Sequence, residues 1–492
     1  MNISRHIKNI IADPKSYFLQ NIGLKQTIAK NIFWLAMAEG VVRFSKLFLI
    51  IYVARILGAE GYGEFSFALS FVGLFVIFAD CGLSQIITRE FAGAEEKKED
   101  FFSLFSLKIL LSLGALILIV GGSFFITSDP IIRGVIWILG AYIVLNSFSG
   151  IVSAFFQARQ QMEYQAFASV LQAIIVTIAG FFVLFNFPSV QNLSYAYLFA
   201  SFALLVGILI FFHFKIFPLK ISWQISVWRK FLTVSWPLAL AGAFGGIYSQ
   251  TDSVMMGYWG QITQTGWYNA AYKIIGITTV PVALISQSFF PALSVAFKES
   301  KEKLQGIWNY LTESMIFLAV PTVAGGIVLA PRIINWIYDP TFTPSVLAFQ
   351  ILIVTTGVTV FYTAFLQVLI VSDQQKKIFW AVLFGAIANV ILNLVLIPKF
   401  SLYGAAFTTL ITQILIFFLF FKFTIESTSI RPLNLKFFSC LLSACLASIP
   451  MCFAIIQPQI YNLNVLFSVL IGAIIYTIVF FIFYRFLKFL QT

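Results

Sequence analysis

Apolar runs of about 20 residues recur along this 492-residue chain from one end to the other, and each can cross a hydrocarbon core of about 30 Å as a helix. Lipid supplies no partner for backbone N–H and C=O groups, and a helix satisfies them within the segment. They fall at approximately 30 to 53, 64 to 86, 101 to 125, 133 to 156, 164 to 185, 194 to 214, 231 to 257, 268 to 293, 308 to 330, 346 to 371, 378 to 397, 402 to 422, 436 to 456 and 463 to 485. That pattern predicts an all-α polytopic membrane protein with fourteen transmembrane helices. Only 10% of residues are charged, against about 25% in soluble domains. The first run follows a polar stretch and no small-residue cleavage site precedes the second, so it is expected to remain as an anchor rather than act as a removed signal peptide.

Lys and Arg should concentrate in alternate loops if this division is right. With the N-terminus in the cytoplasm, 23 of 31 basic residues fall in cytoplasmic segments and only Arg55, Arg133, Arg332 and Lys399 fall outside. Arg43, Lys46, Lys108 and Lys273 lie within spans. The net charge of +12 is therefore mostly topology, and no nucleic-acid partner need be invoked. Both termini are expected inside, in a cytoplasmic membrane.

No connection is long enough to hide a soluble domain. The chain also repeats weakly in parallel: Phe156 to Gln161 matches Ile370 to Gln375 in position, and Gly58 to Tyr62 matches Gly260 to Tyr268. Two six-helix lobes follow as the expectation, residues 1–217 and 231–424 joined by a cytoplasmic linker at 218–230, with a final helix pair in 425–492.

The first span carries Glu39, Arg43 and Lys46 near its middle. At helical spacing they fall within an arc of about 60°, forming one charged stripe. An ionised side chain facing lipid at mid-bilayer costs about 2.5–3.5 kcal/mol, so the stripe must face helices or water. Being net positive, it is a place for an anion to pause. Asp252 and Lys273 lie at similar depth near the outer ends of the seventh and eighth spans and are expected to pair. Asp80 and Lys108 bear the same relation near the cytoplasmic ends of spans two and three. Charges near span ends can instead be structural ion pairs or can snorkel, and the central stripe is the hardest to explain that way. Asn389 and Asn393 read as helix-packing hydrogen bonders. Tyr248, Trp267, Tyr268 and Tyr272 suit either sugar stacking or an interfacial aromatic belt.

Enzymatic chemistry finds little to work with. The two histidines, His6 and His213, are isolated, and no HExxH, GxSxG, Walker-type or GxGxxG arrangement occurs in a usable context. Cys81, Cys440, Cys445 and Cys452 lack metal-ligand spacing. A transporter without catalytic residues, metal or prosthetic group is expected.

A set of motifs distributed over the chain then adds to this reading: Arg55-Ile-Leu-Gly58 with Tyr62-Gly63; Asp80-Cys-Gly-Leu83; Phe156-Gln157; Trp236-Pro237 with Asp252; Gly266-Trp-Tyr-Asn-Ala-Ala-Tyr-Lys273; Asn389 through Asn393 to Ile397-Pro398; and Ser401-Leu-Tyr-Gly-Ala-Ala406 with Thr409. In combination they resemble the polysaccharide-exporter branch of the multidrug/oligosaccharidyl-lipid/polysaccharide superfamily, the Wzx-type flippases. The resemblance implies a fold like that of multidrug exporters and lipid II flippases, with a central cationic cavity to which Arg43, Lys46, Lys273 and Arg55 would contribute. It implies as cargo a polyprenyl-linked oligosaccharide, moved to the outer leaflet for O-antigen, capsule or exopolysaccharide assembly alongside a polymerase or export partner. Glu39 and Asp252 would then bind H+ or Na+ or temper the positive potential, and the last two spans would form a lipid groove. A multidrug antiporter of the same superfamily and a membrane-embedded glycan polymerase or ligase stand as alternatives. The first would favour a net-acidic cavity, the second a substantial outer loop bearing catalytic acids or bases.

Overall fold

The computed structural model describes residues 20–92 and 98–489, with no β-strand among them. The chain divides into two compact units, Met1–Gln250 and Thr251–Thr492.

The first unit is built from α1 (Leu24–Leu74), α2 (Val76–Asp80), α3 (Leu83–Glu90), α4 (Lys98–Ile126), α5 (Pro130–Ala158), α6 (Met162–Asn186), α7 (Val190–Lys215) and most of α8 (Ile225–Tyr258). The second holds the end of α8, α9 (Ile262–Glu299), α10 (Lys301–Ile337), a 3₁₀ turn, α11 (Ser345–Val371), α12 (Gln375–Ser427), α13 (Leu435–Ile456), the short α14 (Pro458–Tyr461) and α15 (Val465–Phe489). Among the described residues ten helices are long and apolar enough to cross a membrane, or eleven counting the bent pair Gln26–Leu74 and Val76–Glu90, which turns by 43°. Fewer elements than the fourteen expected runs result because α1, with 51 residues, and α12, with 53, each join two helices across a kink, at Gly58 (φ 67°) and Ser401 (φ 55°), and because α8 is not among the helices counted. Both kinks fall between runs that the sequence separates, and each of these elements is longer than one crossing requires. At the α12 break, Gly404 lets the two arms close up, since a Cβ there would lie 2.3 Å from the Leu396 carbonyl oxygen.

One turn geometry recurs at three helix ends. Helices α5, α8 and α11 all end in a Schellman motif with one residue in the left-handed region, namely Gln160 (φ 58°), Gly260 (φ 72°) and Asp373 (φ 57°). In each, the next residue donates its N–H five positions back: Gln161 to Phe156, Gln261 to Met256, and Gln374 to Leu369. The backbone thus sets Phe156 opposite Leu369, one residue from the sequence match with Ile370. Hydrogen bonding defines the turn, and the sequence match had followed the Gln-Gln pair instead.

Helix α1 lies along α6, tied at one end by a buried ion pair between Lys30 and Glu163 at 2.7 Å, with Asn31 donating to Gln160. An aromatic cluster of Phe101, Phe155, Phe156, Phe212 and Phe217 fills the same end of the unit. Asp80 and Lys108 pair at 2.5 Å as expected, where left-handed Cys81 and Gly82 separate α2 from α3. In the second unit, α13 packs on α10 and α15 through Cys440, Ala444, Ala447 and Met451, small or adaptable residues of the kind that let membrane helices approach.

Glu163→Ala strands a fully enclosed ammonium and should cost about 3–5 kcal/mol of stability, seen as a lower melting temperature in detergent. Lys30→Met combined with Glu163→Leu should recover most of the loss, because neither charge then remains to be solvated.

Candidate functional site

Two polar sites sit on otherwise apolar helices, one in each unit. In the first, Glu39 and Arg43 form an i,i+4 ion pair on α1 with both side chains more than half exposed, and Lys46 is exposed one turn further on. Helix α1 packs on α6 and α5 and buries Ala38, Leu49, Val53 and Ala54. The stripe itself lies on an open face. Arg55 belongs to the same helix and is also exposed, but nine residues beyond Lys46 turn it to about the opposite side. Arg43 is matched by one carboxylate, which leaves the stripe one positive charge in excess.

The second site centres on Asp252 near the end of α8, where the carboxylate is buried. Tyr268 on α9 donates its hydroxyl to Oδ2 at 2.5 Å, Thr409 on α12 donates to the same oxygen at 2.9 Å, and Asn393 Nδ2 donates to Oδ1 at 2.6 Å. Asn393 also donates to Asn389 Oδ1 at 3.1 Å. These partners are all neutral. Lys273 is exposed and contributes none of these contacts, so the expected Asp252–Lys273 pair gives way to a cage of hydroxyls and amides. Equal depth in the membrane is not equal azimuth around a helix, and Tyr268 rather than Lys273 occupies the inner face of α9.

The same helices hold the cage in register. Asn269 donates to Ser253 at 2.9 Å, repeating the sixteen-residue step that joins Tyr268 to Asp252, and the Tyr268 ring stacks on Tyr272. Asn389 and Asn393 are one helical turn apart and enclosed, and they face a carboxylate as well as packing helices together. Asn389 Nδ2 and Asn393 Oδ1 are buried without hydrogen-bond partners, so the cage has polar capacity left over. Asp252, Thr409 and the two amide side chains together offer oxygen ligands suited to a small hard cation or a proton. Among the described residues no group of three or more His, Cys, Asp or Glu side chains clusters for a transition metal.

An apolar cavity of about 390 Å³ opens between α10, α11, α13 and α15, bordered by Phe317, Pro321, Gly325, Met451, Gly472 and Tyr476. The final helix pair thus forms one wall of a groove able to take hydrocarbon.

Tyr268→Phe keeps the stacking on Tyr272 but removes one donor from an enclosed carboxylate. It should lower stability by about 1–3 kcal/mol, measurable as reduced thermal or denaturant resistance.

A family model described as "Polysaccharide biosynthesis protein" matches residues 28–297. The chain is 24% identical over 378 residues to a probable flippase, AglR, of Haloferax volcanii, covering 75% of this chain and 77% of that one. It is 21% identical over 405 residues to the capsular polysaccharide biosynthesis protein CapF of Staphylococcus aureus, covering 78% and 96%. Among solved structures it superposes on the lipid II flippase MurJ in an inward closed conformation with a TM-score of 0.78 at 17% identity, covering 93% of this chain and all of that one. That likeness is one of fold.

Proposed function

Because the chain belongs to the polysaccharide biosynthesis protein family, we propose that it is a flippase carrying a polyprenyl-pyrophosphate-linked oligosaccharide from the cytoplasmic to the outer leaflet, by alternating access, for surface polysaccharide assembly. The relatives support the cargo class, since one is named a flippase and another a capsular polysaccharide biosynthesis protein. The observation that carries the mechanism is the net-positive stripe on the open face of α1. At about 2.5–3.5 kcal/mol for each ionised group facing lipid, that face belongs to a hydrated path.

Arg43 and Lys46 bind the pyrophosphate through charge-assisted hydrogen bonds, the guanidinium turning from Glu39 to the incoming anion. Lys273 adds positive potential, and Arg55 acts nearer the outer end of α1, where it meets cargo on a different face. The apolar groove beside the last helix pair shelters part of the prenyl chain. No bond of the cargo is made or broken. A net-basic stripe suits an anionic headgroup better than the cationic substrates of a multidrug antiporter.

The Asp252 cage supplies the driving step, taking up Na+ or H+. Asn393 then turns its free Oδ1 toward the ion, and Tyr268 and Thr409 keep the carboxylate in place. Glu39 tempers the positive stripe while the path is empty. The lobes are residues 1–217 and 231–424 with the linker at 218–230, and residues 425–492 form the appended pair. Both termini lie on the cytoplasmic side of the cytoplasmic membrane, where most basic residues fall, and a polymerase or export protein receives the product.

Arg43→Ala with Lys46→Ala removes two charged contacts and should cut transport at least about tenfold, with lipid-linked precursor accumulating inside. Normal export from a well-folded double variant would remove the anion site. Asp252→Asn should leave residual flipping in vesicles that no longer responds to an imposed Na+ or pH gradient. An unchanged gradient response would separate the cage from coupling.

A further inference from the structure

A polar cavity of about 170 Å³ lies where α10 and α13 begin and α15 ends, bordered by Asn309, Tyr310, Glu313, Lys436, Tyr484 and Lys488. It is remote in sequence from both sites above, and its lining carries two lysines against one glutamate. Glu313 faces the cavity alongside Tyr484. Neither lysine takes part in the ion pairs formed among the described residues. The cavity is positive overall.

It is also held in shape. Gln305 grips the backbone of Arg431 in both directions, donating to its carbonyl at 3.2 Å and accepting its N–H at 2.8 Å. Asn434 donates to Asn309 at 2.7 Å and caps α13 by accepting the Phe437 N–H. These bonds fix the start of α13, and with it Lys436, against α10. Outside the cavity α13 presents Leu435 and Phe438 and α15 presents Phe486 and Phe489, all more than half exposed. Cationic heads beside an exposed apolar wall, at the basic end of three spans, match the chemistry of a phospholipid: an anionic headgroup with acyl chains running down the helices.

We propose that this cavity binds the phosphate of an anionic phospholipid from the leaflet at the basic ends of the spans, with Lys436 and Lys488 holding the phosphate and Tyr310 donating to it. The bound lipid clamps the appended pair α13 and α15 to α10. Glu313 sets an upper limit on affinity by opposing the second charge of a more acidic headgroup.

The test is native mass spectrometry of the full chain released from micelles containing phosphatidylglycerol, phosphatidylcholine or a polyprenyl monophosphate. The wild type should retain phosphatidylglycerol over phosphatidylcholine, and Lys436→Ala with Lys488→Ala should reduce that retention by about tenfold. Lys215→Ala with Lys220→Ala, exposed lysines of the other unit, should leave it unchanged. Lys436→Arg with Lys488→Arg keeps the charge and should keep the lipid, so loss through misfolding is distinguishable from loss of charge. Glu313→Gln should raise retention about twofold. Equal retention by the double alanine variant would overturn the proposal. So would displacement of the lipid by millimolar inorganic phosphate, which would mark a soluble-anion site, or preference for the polyprenyl phosphate, which would assign the cavity to cargo.

Discussion

Hydrocarbon cannot solvate a polar group, and that constraint governs this molecule more than any single contact. It forces the backbone into helices, which the apolar runs already announce, and leaves each buried side-chain charge to find a partner inside the protein. The structure meets the demand in three ways. Lys30 with Glu163 and Lys108 with Asp80 neutralise one another, Asp252 is enclosed by neutral donors, and the Glu39, Arg43 and Lys46 stripe stays open. Only the last two leave chemical capacity to spare, and the proposed function uses both.

The difference between a pair and a cage matters for transport. A carboxylate locked to an ammonium has little to gain from a cation, because binding must first break the pair. A carboxylate held by two hydroxyls and an amide can accept a cation while those groups rotate, so its occupancy can change at modest cost. Buried amide atoms without partners beside Asp252 fit a site that rearranges on loading.

The backbone breaks follow the same economy. Gly58 and Ser401, each with positive φ, mark the kinks at which α1 and α12 each join two helices. The three Schellman turns at Gln160, Gly260 and Asp373 end their helices with the carbonyls already satisfied. Of these, the turns at Gln160 and Asp373 stand where the sequence match pairs two segments, displaced by one residue because hydrogen bonding, not side-chain identity, sets the register.

Hydropathy alone determined that this chain is an all-helical membrane protein, because span length follows directly from bilayer thickness. Spacing alone placed Glu39, Arg43 and Lys46 on one helix face, since residues three and four apart are neighbours on any α-helix. The Asp80–Lys108 pair was legible too, from matched depth on consecutive spans. Tertiary structure decided the rest. Asp252 meets Asn393 and Thr409 across 141 and 157 residues, and no local pattern encodes which face of α12 turns toward α8. Thr409 had entered only through a motif, Asn393 as a packing residue, and Tyr268 as an aromatic suited to sugar stacking or to an interfacial belt. Side-chain type and depth can be read along a chain, but azimuth is fixed only when helices pack, and azimuth is what makes a site.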